Sequence, residues 1–330
     1  MKRNNYIFLL KLFLLGFSLF AETQEKNQTA VSWQKQAVTS LEDLLNIQAR
    51  IQEIIPKVQD SLVCIEAEDG SGSGVVVSAD GLILSAAHVI GESGRTMKII
   101  FPNGSEVDAI SLGGSELSDA GMLQIVGKGP WNYVAMNSAH LSKTGDWCVA
   151  LGHPNGFDLK RGLVLRAGRL ITKEAETLQT DCRLLGGDSG GPLFSLDGKV
   201  IGIHSRISQD AEDNFHTPIE SFLSNWEFFL HEQLHTLSAM QKGGFLGVRC
   251  EENDLGLLIL EVVKGTPAEK SGLSSGDILT SLDDNVLDTR EKLTLLVSSR
   301  HPGDEIVLDF LRDERQASLR ITLGARISDL

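Results

Sequence analysis

Apolar residues recur along this chain with three different periods. After a polar stretch from Glu22 to Gln36, Leu44, Ile47, Ile51 and Ile54 fall at intervals of three, four and three, the period of one helix face. Thr39-Ser-Leu-Glu42 has capping-box spacing just before this run, so a helix ending near Pro56 is predicted. From Ser61 to about Ile207 brief β-type runs alternate with Gly-rich turns. Gly74-Val-Val-Val-Ser78 and Leu82-Ile-Leu-Ser85 flank Ala79-Asp-Gly81, a hairpin signal because Asp and Gly tolerate positive φ. Repetition of this kind predicts an all-β barrel or sandwich. Residues 218–241 return to helical spacing through Phe222, Trp226, Phe229 and Leu230, and read as a helical connector.

A second, smaller unit runs from Gly243 to Gly324. It opens with Phe245-Leu-Gly-Val248 and continues with a strand from Leu257 to Val263. A short helix is then framed by Thr266 as N-cap, Pro267 in the first turn and Gly272 as terminator. A second helix around Glu291 to Ser298, with Leu293, Leu296 and Val297 on one face, precedes strands Glu305–Leu311 and Ala317–Leu323. The chain therefore divides into residues 1–21, 22–60, 61–225, 226–242, 243–324 and a tail, 325–330.

Residues 1–21 have the layout of a secretory signal: Lys2 and Arg3, an apolar run from Tyr6 to Phe20, then Ala21 as a small residue for cleavage. The run is interrupted by Lys11 and is shorter than the ~20 residues that span a bilayer, so an exported, soluble protein is expected; an uncleaved segment would anchor it instead. The full chain of 330 residues carries 30 Lys+Arg against 44 Asp+Glu, a net charge of −14. Its long-range field repels polyphosphates, which excludes nucleic acid as an expected partner. Cys64, Cys148, Cys182 and Cys250 are far apart in sequence without a C-x-x-C pair, and read as buried thiols rather than a zinc ribbon or redox motif.

The strongest chemical signal is Gly186-Gly-Asp-Ser-Gly-Gly-Pro-Leu193. A nucleophilic serine needs its Oγ presented on a tight turn with backbone N–H groups aimed at the oxyanion, and glycines at these positions permit both. Serine attack also needs a base and a group that sets the base's tautomer. His88 ends the strand-like Leu82–His88, and Asp119 opens Asp119–Ile125, giving the chain order His88, Asp119, Ser189.

These segments, together with Ala86-Ala-His88, Leu151-Gly-His-Pro154, Gln179-Thr-Asp181 and Gly198-Lys-Val-Ile-Gly-Ile203, resemble the trypsin-like double β-barrel proteases of the HtrA (DegP/DegS) group. Residues 243–324 look like the PDZ domain of that group, and Gly244-Phe-Leu-Gly247 matches its carboxylate-binding loop. The resemblance implies a mostly β fold: a chymotrypsin-like double barrel over 61–225, a helical linker over 226–242 and a small α+β PDZ domain. It also implies an ATP-independent serine endopeptidase of the periplasm acting on misfolded or damaged proteins, without a cofactor, in a homo-trimer or larger homo-oligomer. His88 would be the general base, Asp119 its orienter and Ser189 the nucleophile. Gly187 and Ser189 would form the oxyanion hole, and the N–H groups of Phe245, Leu246 and Gly247 would take a peptide's C-terminal carboxylate.

Three features depart from that pattern: Asp188, Arg183 and the segment His231-Glu-Gln-Leu-His235. Asp188 stands where the group usually has Asn; digestive trypsin-like enzymes pair such an acid with a cleaved N-terminus, for which no matching start exists here, leaving Asp188 either paired locally or partly solvated. At the specificity pocket, Arg183 would favour acidic substrate side chains and Leu184 small aliphatic ones; the aliphatic reading is preferred because Arg snorkels to solvent. His204 is placed near the substrate-lining strand, either at the surface or touching bound peptide. His231-Glu-Gln-Leu-His235 is H-E-x-x-H on a predicted helix, the pattern of a zinc protease, but no third ligand is evident. A non-proteolytic peptide-binding or chaperone role with an unformed oxyanion hole stays open, since that hole depends on backbone geometry rather than residue identity.

Overall fold

A computed structural model of the chain describes residues 38–67, 70–174, 176–207, 214–231 and 234–326. The predicted signal segment 1–21 and the polar stretch after it lie outside the described residues. No described helix is long and apolar enough to cross a membrane. By compactness the chain divides between Arg50 and Ile51.

Helix α1 (Leu41–Val58) runs two residues past Pro56, which falls in its last turn. Its capping box sits one residue later than predicted. The Asp43 N–H donates to Ser40 Oγ at 3.1 Å, while the Asp43 carboxylate accepts from both the N–H and the hydroxyl of Thr39. The aspartate is short enough to close this loop on both donors, and Glu42 is not used in it.

Strands β1 (Leu62–Ala67), β2 (Gly70–Val76), β3 (Leu82–Ser85), β4 (Thr96–Ile100), β5 (Glu106–Ser115) and β6 (Ala120–Ile125) bond in the order β5-β4-β1-β2-β3-β6. A further β5–β6 pairing closes the first barrel. Alternate residues Val63, Ile65, Ile83 and Leu123 fill it, as a period of two requires when one face is enclosed. Strand β3 stops at Ser85, and His88 lies on a one-turn helix, α2 (Ala87–Ile90), rather than at the end of the strand.

Strands β7 (Trp147–Gly152), β8 (Val164–Lys173), β9 (Leu178–Thr180), β10 (Pro192–Ser195), β11 (Val200–Ile207) and β12 (Asn214–Pro218) form a second closed barrel in the order β10-β11-β12-β9-β8-β7. All four cysteines are buried free thiols. Cys148 and Cys182, 34 residues apart in sequence, meet in this second core with their sulfurs 4.0 Å apart.

The connector is broken rather than continuous: α3 (Ile219–Ser224), α4 (Trp226–Leu230), strand β13 (Leu234–His235) and α5 (Leu237–Lys242). Asn225 leaves helical geometry at φ −112° and its side chain donates to the Ser221 carbonyl at 2.9 Å, the local competition that disfavours Asn inside helices. Strand β13 then adds in parallel to β5 of the first barrel.

The C-terminal unit contains β14 (Gly244–Phe245), β15 (Val248–Asn253), β16 (Gly256–Val262), α6 (Pro267–Ser271), β17 (Ile278–Leu282), β18 (Asn285–Val286), α7 (Arg290–Ser298), β19 (Glu305–Arg312), β20 (Arg315–Thr322) and β21 (Gly324–Ala325). Its main sheet runs β15-β16-β17-β19-β20 over a core including Leu257, Leu279, Leu296, Leu308 and Phe310. Helix α6 begins with Pro267 and ends at Gly272 with φ +87°, as its sequence predicts. Helix α7 is tied to both barrels, through Ser115 of the first and Glu176 of the second. The buried Glu291 carboxylate accepts from Ser115 Oγ at 2.6 Å, and Arg290 pairs with Glu176 at 2.9 Å.

Candidate active site

His88, Asp119 and Ser189 come from three separate segments and meet where the two barrels adjoin. The first barrel supplies His88 and Asp119. Helix α2 is held by the Ala87 N–H donating to the Asp119 carbonyl at 3.2 Å, and the His88 N–H donates to Asp119 Oδ1 at 3.1 Å. His88 Nδ1 lies 2.9 Å from Asp119 Oδ1 and 3.0 Å from Oδ2. Asp119 sits on the turn between β5 and β6 at φ +56°, a conformation Asp tolerates better than most residues. The second barrel completes the carboxylate's shell: Ser205 Oγ on β11 donates to Asp119 Oδ2 at 2.6 Å.

This arrangement sets the charges. The hydrogen bond that His88 donates to the Asp119 carboxylate raises the His88 pKa above its ordinary 6.5. Burial alone would raise the Asp119 carboxyl, but hydrogen bonds from His88 and Ser205 hold it below its ordinary value. An ionised Asp119 fixes the proton on Nδ1 and leaves Nε2 as the acceptor.

The serine segment is clamped by both barrels. Ser73 on β2 donates its N–H to the Ser189 carbonyl at 2.7 Å, and the Gly190 N–H donates to the His204 carbonyl on β11 at 2.7 Å. Ser189 Oγ donates to the Ser205 carbonyl at 3.4 Å and makes no hydrogen bond to His88; such contacts are often loose before substrate binds. His88, Ser189, Gly187, Gly72, Val89 and Ile65 line one cleft of about 270 Å³.

Two backbone hydrogen bonds orient the N–H groups expected to receive an oxyanion. The Gly186 carbonyl accepts from the Asn155 N–H at 2.7 Å, and the Asp188 carbonyl accepts from the Gly191 N–H at 2.9 Å. In a trans peptide the N–H points opposite to the C=O, so the N–H groups of Gly187 and Ser189 are turned away from these partners. Among the described residues neither N–H has an acceptor. Gly187 has φ +93°, and a Cβ there would lie 2.6 Å from the His153 carbonyl. Gly187→Ala is therefore expected to displace this peptide and lower kcat about 10²–10³-fold, the usual effect of losing one oxyanion donor, with KM little changed. Steady-state kinetics on an unfolded protein substrate check this.

Asp188 is paired locally, the first of the two alternatives. Its fully buried carboxylate takes both ends of the Arg166 guanidinium, at 2.9 and 2.8 Å, and the Leu185 N–H at 2.8 Å. Burial raises its pKa, with Arg166 acting against that shift.

Other expected site residues fall elsewhere. Leu184 is buried in the core of the second barrel beside Cys148 and Leu193, and Arg183 is exposed; neither lines the cleft beside Ser189. His204 is neither at the surface nor available to peptide: it is completely buried. Its Nε2 meets the Leu151 carbonyl at 3.2 Å and its Nδ1 meets His216 Nδ1 at 2.9 Å, while His216 Nε2 meets Thr180 Oγ1 at 2.7 Å. Because the carbonyl can only accept, Nε2–H of His204 donates, Nδ1–H of His216 donates to His204, and Thr180 donates to His216. The H-E-x-x-H segment is not one helix face. Helix α4 ends at Leu230, Glu232 and Gln233 lie outside the described residues, and His235 is buried in β13 with its ring edge against Phe228. No metal-holding cluster of three occurs among the described residues.

In the C-terminal unit, Gly244 and Phe245 form β14 and Leu246 is buried in the core. The Leu246 carbonyl accepts from the Ala268 N–H at 2.9 Å, which turns the Gly247 N–H the opposite way. Beside this loop, β15 and α7 enclose a groove of about 300 Å³ lined by Val248, Cys250, Leu293 and Thr294, and by Leu117 and Glu176 of the barrels.

Residues 72–203 match the trypsin-like peptidase domain family and residues 244–323 match the PDZ domain family. A probable periplasmic serine endoprotease DegP-like of Ectopseudomonas mendocina is 32% identical over 273 residues, covering 77% of this chain and 56% of that protein. The chain belongs to the HtrA group. A second DegP-like relative, from Hahella chejuensis, is 31% identical over 281 residues, covering 78% of this chain and 58% of its own length. This HtrA chain thus spans a little over half the length of those curated relatives. The HtrA-type protease AlgW with a tripeptide superposes with TM-score 0.58 at 22% identity, covering 84% of this chain and 97% of that one. A serine endoprotease from Yersinia pestis superposes with TM-score 0.54 at 21% identity, covering 84% and 98%.

Sequence reasoning missed two residues at the HtrA site. Ser205 follows His204 directly but carries no motif of its own. Arg166 meets Asp188 only through the register of β8, which pairs it with Ala150 on β7.

Proposed function

We propose that this chain is an ATP-independent serine endopeptidase in which His88 takes the Ser189 proton, Asp119 holds the His88 tautomer, and the N–H groups of Gly187 and Ser189 receive the oxyanion. The observation carrying this reading is the orientation of those two N–H groups, beside a serine and an Asp-paired histidine in one cleft. In attack, Ser189 Oγ leaves the Ser205 carbonyl and gives its proton to His88 Nε2. The tetrahedral oxyanion then collapses as His88 returns the proton to the leaving amine, and water repeats the sequence on the acyl-enzyme.

Substrates are unfolded or damaged proteins, whose extended backbone can enter an open cleft. The C-terminal unit takes peptide C-termini at the Gly244–Gly247 loop, with the peptide adding beside β15. The DegP-like relatives are named periplasmic, which together with the signal pattern of residues 1–21 supports export to the periplasm; assembly as a trimer or larger homo-oligomer completes the proposal.

Covalent labelling tests the class of mechanism. An organophosphonate is expected to attach to Ser189, identified by peptide mass, and to stop casein digestion. A zinc chelator and His231→Ala are expected to leave digestion unchanged. Loss of digestion with the chelator or with His231→Ala would transfer the chemistry to the H-E-x-x-H segment. An unlabelled, inactive chain would favour the non-proteolytic peptide-binding reading.

A further inference from the structure

The oxyanion turn, Leu185 to Ser189, contains Gly186 and Gly187, which impose little conformational preference of their own. A peptide between two glycines reverses easily; the Asn155 N–H on the Gly186 carbonyl sets its direction, and that contact requires the turn itself to be held in place. The side chain within this turn that can hold it is Asp188, whose carboxylate is completely excluded from solvent. It lies against Gly152 of β7, where a Cβ would be 2.4 Å from Asp188 Oδ1. It bridges the turn by accepting from the Leu185 N–H at 2.8 Å, while the Asp188 N–H donates to the Leu185 carbonyl at 3.0 Å. Arg166 faces it from β8 in a two-point fork, with NH1 to Oδ1 at 2.9 Å and NH2 to Oδ2 at 2.8 Å. A two-point contact fixes the carboxylate's plane as well as its position, which a single ammonium cannot do. Arg166 is itself carried on the part of β8, Val164 to Arg169, that pairs with β7, so the clamp is referred to the barrel wall.

We propose that Arg166 is the positioning residue of the oxyanion hole, holding the Gly187–Ser189 turn in its open arrangement through Asp188. This rests on the serine-endopeptidase reading. The required cation is supplied from within the same barrel, so no cleavage of the chain is needed to shape the hole.

The test measures kcat and KM on fluorescently labelled unfolded casein, with active sites counted by an organophosphonate. Arg166→Ala is expected to lower kcat about 100-fold, on the scale of one oxyanion donor, with KM within about threefold. Arg166→Lys keeps the charge but loses the fork, and is expected to lower kcat about tenfold. The lysine variant decides the matter if the alanine variant does not fold. Kinetics of Arg166→Lys within threefold of wild type would overturn the proposal. So would a loss appearing only in the number of titratable sites, with unchanged kcat per site, since that is the mark of a merely structural role. A wild-type chain that neither digests casein nor labels at Ser189 would instead overturn the endopeptidase reading, and this inference with it.

Discussion

Alanine at Ser189 or His88 is expected to lower kcat by about 10⁶-fold, and Asp119→Asn by about 10⁴-fold with the acid limb of the pH profile moved to lower pH. The graded loss follows from what each residue holds. Without the hydroxyl or the imidazole, the remaining oxyanion donors still bind substrate but have no activated nucleophile to serve. Asp119→Asn leaves all three positions filled, yet the carboxylate accepts from the His88 ring, the His88 N–H and Ser205 Oγ, and one amide oxygen cannot replace two carboxylate oxygens. The Asn NH₂ then faces Nδ1 as a donor, which moves the imidazole proton to Nε2 and removes the base. In the wild-type chain the Asp119 hydrogen bond raises the His88 pKa above 6.5, so activity is lost as pH falls through that raised value. Removing the carboxylate lowers it. Casein turnover measured across pH for wild type and Asp119→Asn checks both parts, and an unmoved acid limb would count against the pairing.

Acid is expected to destabilise the fold through histidines that take no part in the chemistry. His153, His204 and His216 are almost wholly excluded from solvent. Burial pushes His153 down to about 4 and His216 to about 3, and burial with the neighbouring His216 pushes His204 well below 6.5. In the His204–His216 chain every ring nitrogen is already committed as donor or acceptor, and the ring nitrogens of His153 have no partner that would receive an added proton. The unfolded chain accepts protons near pH 6.5 while the folded one refuses them. Stability is therefore fully present above that pH and lost as pH falls toward 4. At 1.36 kcal/mol per unit, His153 and His216 together make the fold roughly 4 kcal/mol less stable at pH 5 than at pH 7, and His204 acts in the same direction. That is a large share of the about 5–15 kcal/mol that holds an ordinary domain. His88 acts in the opposite sense, since its raised folded pKa adds stability at low pH that is lost as pH rises through it, but it is one half-exposed group against three buried ones. Urea titrations of the Ser189→Ala chain at pH 7 and pH 5 measure the difference without self-digestion. Equal midpoints would contradict this account.

The local signals that held are those whose physics acts over a few residues. Asp80-Gly81 turns the β2–β3 hairpin with Gly81 at φ +95°, and Thr266, Pro267 and Gly272 bound helix α6. Where two local signals competed, spacing alone misjudged the outcome. Ser40–Asp43 caps α1 one residue later than expected, and Asn225 interrupts what hydrophobic spacing presented as one connector helix. The H-E-x-x-H pattern failed for the same reason, because its meaning requires a helix that ends at Leu230.

The sequence by itself determined the two-unit β organisation, the chain order His88, Asp119, Ser189, and a glycine-rich turn able to carry a nucleophile. Periodicity, turn residues and a serine among glycines all act within one segment. Only the tertiary structure decided that His204 is buried against His216, that Asp188 is clamped by Arg166, and that Asn155 and Gly191, by holding the Gly186 and Asp188 carbonyls, turn the Gly187 and Ser189 N–H groups the opposite way. Most of these contacts join residues many positions apart across a barrel closure. Their energies come from exclusion of water and from the register of strands, which no local spacing records.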